Sequence, residues 1–434
     1  MPCNSQIVLN DDSFWQWMYP EESNSGVYAY LSKIADNELD SAYVVEVLKE
    51  SSIHEQSSIM ANLCLCMPRR YFLEIQSCIR TYATLFGRVF PPLVSHVDQL
   101  AYIEWLLYTE PGDLRYRDHL VHMFKVAFVA DQLLSLESIS SKITEYQYNS
   151  DHFKKWCKAR KFQADKWDPE TQKDILKIAF FLAALFHDFG YGYYFLRKYK
   201  GRLFRLYRWL LPGADPTDID AFSTKIILQS LPSFFVKKHH SCLDELKSKD
   251  SDKNVLAGFY HDCLPLNHSI ASAFFVLDLA EQLGNARALN EKLYVAFQIA
   301  AEACMIHDMT KENKWVHLRP NSNQHFITCD NHEDIPLAML LILADELSIW
   351  NRPTLKVKAN GDNCVFCEMH IVDVPTEVEI LLLGDGDKHK IKITVDNFHE
   401  NLEKSLCNDI LCLKLNTEED NCQLLGYLIE VSGR

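Results

Sequence analysis

The chain has 434 residues, 48% of them hydrophobic and 24% charged, which is length for two or three domains and apolar content for a sizeable core. Its net charge of -15 argues against a general nucleic-acid binder, because duplex affinity rests on neutralising phosphates. No apolar run reaches the ~18 residues that a membrane span needs, so no membrane partner is expected.

The first residues, MPCNSQIVLNDDSF, lack the cationic and apolar segments of a signal peptide. A cytoplasmic location is therefore expected, with the 14 cysteines reduced. Cys364-Val-Phe-Cys367 has no second pair at zinc-finger spacing and reads as ordinary strand and core cysteines.

Residues 1–100 read as a mostly helical N-terminal module, with segments around 27–35, 42–49 and 71–85, interrupted at Pro91-Pro92. His54 and His96 are isolated and read as surface or satisfied histidines. In the next stretch Asp118 can cap a helix that continues through Leu134, with Val126, Val129, Ala130 and Leu133 at helical spacing. His119 and His122 lie three residues apart and share one face of it. Residues 136–170 are polar and read as a connecting insertion with some helix.

The organising stretch is 176–190, LKIAFFLAALFHDFG. It is apolar all round from Ile178 to Phe186, as a buried helix is, and it ends abruptly in His187-Asp188. A buried carboxylate without a partner costs several kcal/mol or more, so something must neutralise Asp188, and a metal cation does so most completely. Gly190 and Gly192 are expected to end the helix. Residues 197–209, RKYKGRLFRLYRW, then carry six Lys/Arg and no acid, interleaved with Tyr199, Phe204, Tyr207 and Trp209. They read either as an amphipathic surface helix or as an anion-attracting rim. Residues 213–262 read as a loop-rich insertion.

Three more apolar helices carry polar groups of the same kinds. His268 opens HSIASAFFVLDLAEQL, with Asn267 as its possible N-cap. The segment 291–308 ends in a second pair, His307-Asp308. The segment 336–350 starts on Pro336 and bears Asp345 after the apolar run Leu337 to Ala344. Each alone has a bland explanation; four together point to a shared cation. Beyond Pro353 the period becomes strand-like, around 365–372, 377–383 and 390–395, with a turn at Gly384-Asp-Gly-Asp and a helix at 398–407.

The ordered set His122, His187-Asp188, His268, His307 and Asp345 resembles the HD-domain superfamily of metal-dependent phosphohydrolases. The motifs carrying the resemblance are His122-Met-Phe-Lys-Val-Ala, Phe186-His187-Asp188-Phe189-Gly190 and Asp345, within roughly 101–355. The stretch 341–353, LILADELSIWNRP, is also similar to bacterial HD-domain proteins of unassigned activity. The resemblance implies a mainly α fold, an HD-domain helical bundle with a small α+β C-terminal appendage. The expected domains are 1–100, a catalytic metal-binding domain at 101–355 and the appendage at 356–434.

By that resemblance His122, His187, Asp188 and Asp345 bind one metal, and His268 and His307 hold a second with Asp188 bridging. The expected cofactors are thus two divalent ions, and the nitrogen and oxygen donors suit Mn, Fe, Zn, Co or Ni. The implied activity is hydrolysis of a nucleotide or other phosphate ester by a metal-bound hydroxide, with Asp188 at its centre. His119 resembles the proton-donating histidine of cyclic-nucleotide phosphodiesterases. Lys125, Arg117 and Arg352 are candidates for neutralising phosphate charge. Two alternatives share the pattern: a mixed-valent di-iron HD-fold oxygenase, and a catalytically silent nucleotide-sensing module.

Overall fold

A computed structural model of the chain describes residues 5–18, 20, 25–34, 120–150, 153–154, 157–158, 161–190, 268–269, 272–273, 275–277, 279–280, 290–307, 336–350, 354–360, 363–370, 376–385, 388–396, 423–424 and 427–433. The described residues are mainly helical, with a five-stranded and a two-stranded sheet. They divide into two compact units. Unit 1 comprises Met1–Ile139, Leu343–Lys414 and Glu418–Arg434; unit 2 comprises Ser140–Ile342 with Leu415–Thr417.

Unit 1 begins with β1 (Ser5–Leu9), α1 (Asp11–Met18) and α2 (Gly26–Ile34). Asn10 and Ser13 cap α1 reciprocally: Ser13 N–H donates to Asn10 Oδ1 at 2.9 Å and Asn10 N–H to Ser13 Oγ at 3.1 Å. Gly26 opens α2 with φ +53°, and a Cβ there would lie 2.2 Å from the Trp17 carbonyl oxygen, so only glycine fits. The helix α3 (Leu120–Ser135) is buried continuously from Val121 to Ala130, which explains why its polar positions are so few. Phe128 of α3 meets Phe14, Trp17 and Trp350 at ring separations of 5.8 to 6.1 Å. Asp131, at the rim of this aromatic core, accepts from Trp17 Nε1 at 2.9 Å and from the Tyr30 hydroxyl.

The helix α4 (Glu137–Asn149) crosses the boundary between the units in sequence. The polar segment 136–170, expected to be a connection with some helix, thus contains a regular helix of 13 residues. Ile139, Ser140, Ile143, Thr144 and Gln147 form a buried stripe at three- and four-residue spacing. In unit 2, α5 (Pro169–Phe186) starts on Asp168, whose carboxylate accepts from Thr171 N–H at 3.0 Å, with Pro169 in the first turn. Asn290 caps α6 (Glu291–His307) in the same way, accepting from Leu293 N–H at 2.8 Å. Alanines 179, 183 and 184 on α5 and 296, 300, 301 and 303 on α6 are all buried. Small side chains let the two backbones approach, and the Cys304 thiol reaches the Ala183 carbonyl at 3.5 Å. The helix α7 (Pro336–Leu347) also crosses the unit boundary in sequence, and its last turn, with Asp345, falls in unit 1.

After α7 come β2 (Thr354–Asn360), β3 (Asn363–His370), β4 (Val378–Asp385), β5 (Lys388–Val395), β6 (Gln423–Leu424) and β7 (Tyr427–Gly433). The strands β2 and β3 pair antiparallel. The larger sheet runs β1-β4-β5-β7-β6, with β5 and β7 parallel and the other pairs antiparallel. Alternate residues Val378, Ile380, Leu382, Ile391, Ile393 and Val395 are buried, while Lys390 and Lys392 point to the other, half-exposed face. The strand β1 joins this sheet with Ile7 opposite Ile380 and Leu9 opposite Val378, an element that the sequence reading placed in a helical module. The segments expected at 42–49, 71–85, 197–209, 213–262 and 398–407 lie outside the described residues.

Candidate metal centre

The ends of α5 and α6 carry the chemistry of unit 2. Ala183 of α5 lies against Cys304 of α6, and one turn further on the rings of His187 and His307 meet at 5.2 Å and 84°. The two helices therefore run in the same direction and finish together. Each C-terminus carries a partial negative charge from its unmatched carbonyls, which favours a cation beside it. The chain does not stop at a glycine cap as the sequence suggested. His187 is the C-cap and keeps right-handed helical angles, with Asp188, Phe189 and Gly190 turning after it. Gly190 N–H donates to the buried Ser272 Oγ at 2.8 Å, which pins that turn.

Both histidines are locked in one tautomer. His187 Nδ1 donates to the Ala184 carbonyl at 2.8 Å, and His307 Nδ1 donates to the Cys304 carbonyl at 2.6 Å. A carbonyl only accepts, so each Nδ1 holds a proton and each ring turns its Nε2 toward Asp188. Its Oδ1 lies 3.4 Å from His187 Nε2, 3.3 Å from His268 Nε2 and 3.9 Å from His307 Nε2. His268 is helical and slightly exposed, and the other three residues are buried.

Donor atoms gathered around one carboxylate oxygen need something positive among them, a proton on a ring or a metal ion, and a divalent cation serves all of them at once. The spacing fits as well: donors ~2.1 Å from a tetrahedral centre stand ~3.4 Å apart. Asp188, His268 and His307 present donor atoms within 4.8 Å of one another, and these buried groups can hold a metal ion. Burial, and then the Asp188 charge, push the Cys304 thiol well above its ordinary range, so it remains a neutral donor to Ala183.

Unit 1 holds the other two expected ligands. His122 of α3 is buried, and its Nε2 lies 2.7 Å from Asp345 Oδ1 in the last turn of α7. Its Nδ1 is 2.8 Å from the Ser348 hydroxyl, which also bonds the Asp345 carbonyl at 2.9 Å. Lys125, one turn after His122, is buried, and its ammonium is engaged within the unit. Nζ donates to the Trp350 carbonyl at 2.8 Å, lies 3.7 Å from Asp11 Oδ1 and stands 5.1 Å over the Trp350 ring. His119, Arg117, Arg352 and Asp308 lie outside the described residues.

The sequence reading passed over Ser272 and Ser348, because a serine carries no metal-ligand signature of its own. Only their spacing offered one: Ser348 stands three residues after Asp345, and Ser272 four after His268.

The fold and the clusters define a mainly helical protein with buried His/Asp groups able to bind metal. In comparisons with known proteins, no family model, no curated protein and no solved structure matches the chain.

Proposed function

We propose that this protein is a metal-dependent phosphohydrolase of HD-domain type, acting on a nucleotide or another phosphate ester. The observation that supports it most is the convergence of the His187, His268 and His307 Nε2 atoms on Asp188 Oδ1, at 3.3 to 3.9 Å. The proposal assigns these four residues, with His122 and Asp345, to holding divalent cations. Bound, such cations polarise a phosphoryl oxygen and lower the pKa of a coordinated water toward about 7.

The chain's own residues do the rest. The carbonyls of Ala184 and Cys304 hold the His187 and His307 rings in their donor orientation. Burial keeps bulk water from competing for Asp188. Arg117 and Arg352 neutralise phosphate charge in this reading, and His119 donates a proton to the leaving oxygen. Lys125, expected among the phosphate contacts, is left out, because Trp350 and Asp11 already occupy its ammonium. The basic 197–209 segment draws anionic substrate toward the centre.

The test compares wild type with Asp188→Asn, using elemental analysis and metal-dependent phosphate release from bis(p-nitrophenyl) phosphate and a nucleotide panel. The variant should lose bound metal and at least about 100-fold in turnover, with its helical circular dichroism retained. Full metal content and full turnover in the variant refute the assignment. A di-iron EPR signal with dioxygen uptake and no phosphate release replaces hydrolysis by the oxygenase reading.

A further inference from the structure

We infer that Ser348 is a positioning residue for the His122–Asp345 pair of unit 1, holding the His122 Nδ1–H with its hydroxyl oxygen. The inference rests on the proposal that His122 is a metal ligand. Ser348 is fully buried in the turn after α7, three residues beyond Asp345. Its Oγ lies 2.8 Å from His122 Nδ1 and 2.9 Å from the Asp345 carbonyl oxygen, and its backbone N–H also donates to that carbonyl at 3.3 Å.

A hydroxyl has one proton and two lone pairs. The carbonyl can only accept, so the Ser348 proton goes to Asp345 O. The remaining contact is satisfied only if His122 Nδ1–H donates to Ser348 Oγ. If the serine gave its proton to Nδ1, two oxygen atoms would face each other at 2.9 Å with no proton between them. One hydrogen-bond direction therefore satisfies both Ser348 contacts. Asp345 Oδ1, 2.7 Å from His122 Nε2, also only accepts, so without a cation Nε2 carries a proton to it, and a bound metal would take that proton's place.

The arrangement also binds both ligands to one turn of chain. Asp345 supplies its carboxylate through its side chain and its main-chain oxygen through Ser348, so the ring and the carboxylate are oriented by the same three residues. His187 and His307 have their Nδ1–H held by carbonyls of their own helices. Ser348 does for His122 across two helices what those carbonyls do locally. Outer partners of this kind commonly contribute about 10–100-fold to metal affinity.

The test is cobalt(II) titration of the metal-stripped full chain, read by visible absorption and chelator competition. Wild type, Ser348→Ala, Ser348→Thr and His122→Ala are compared. The binding step that His122→Ala removes should weaken about 10–100-fold in Ser348→Ala and recover to near wild type in Ser348→Thr, which keeps the hydroxyl. If His122→Ala changes the isotherm and Ser348→Ala does not, Ser348 has only a packing role and the inference fails while the metal reading stands. If His122→Ala leaves the isotherm unchanged, His122 is not a ligand, and the inference falls with the reading beneath it. Long-range proton–nitrogen NMR of zinc-loaded wild type gives a check that needs no variant. His122 should carry its proton on Nδ1, and an unprotonated Nδ1 overturns the inference.

Discussion

Replacing Lys125 by methionine separates what its ammonium does for unit 1 from what an ammonium would do for a phosphate. Methionine keeps most of the buried stem and removes the charge and the donor. Four interactions disappear. The Trp350 carbonyl loses its 2.8 Å donor, and an unsatisfied group of this kind costs about 1–3 kcal/mol. The ring contacts, 5.1 Å over Trp350 and 6.0 Å over Phe14, together contribute about 0.5–2 kcal/mol. The Asp11 pair at 3.7 Å, with Asp11 a quarter exposed, adds about 0–1 kcal/mol.

Against these stands relief of the ammonium's desolvation, so the net loss should be about 1–3 kcal/mol. For a unit of this size that lowers its melting temperature by roughly 2–10 °C. Thermal melts followed by circular dichroism measure it, alongside kcat/KM for phosphate release. The expected outcome is a lower melting temperature with kcat/KM within about threefold of wild type. An unchanged melting temperature with more than a tenfold fall in kcat/KM refutes the reasoning, because the ammonium would then be serving substrate rather than packing.

Two further outcomes follow from ionisation. Asp168 is held below its ordinary 3.8 by the Thr171 backbone N–H and then the Thr171 hydroxyl, so its contribution is full above that value and fades as pH falls through its folded pKa. The gap in melting temperature between wild type and Asp168→Ala should be constant from neutral pH to about 5 and close in stronger acid; a gap that widens in acid contradicts the capping role. Burial, and then the Asp165 charge, push the Cys157 thiol up to about 12. Iodoacetamide at pH 8, read by peptide mass mapping, should label Cys157 about a thousandfold more slowly in native than in denatured protein, and equal rates would contradict that burial.

How much of this was legible in the sequence follows from where the physical signal lies. His187-Asp188 stood out because an ionisable pair ending an apolar helix breaks the burial rule, and the structure gathers His187, Asp188, His268 and His307 in unit 2. The tautomer locks were not legible, since they use the carbonyls of Ala184 and Cys304, which every residue possesses. The strand β1 was missed because Gln-Ile-Val-Leu is too short to show a period, and its partner lies at the other end of the sequence. The segment holding α4 was read as a connection with only some helix, for a different reason. Its buried stripe is built partly from Ser140, Thr144 and Gln147, which read as polar surface in a search for apolar spacing.

That first strand also has a history during synthesis. Leu9 pairs with Val378, so 369 further residues must be made before the ladder can close. At about 5–20 residues per second, the newborn segment waits roughly 20–70 s with its backbone amides unclaimed by their final neighbour. Throughout that interval a ribosome-bound chaperone, or another nascent copy, competes for the same row of donors and acceptors. Expression yield should therefore respond to translation speed and chaperone supply more than the finished protein's stability would suggest.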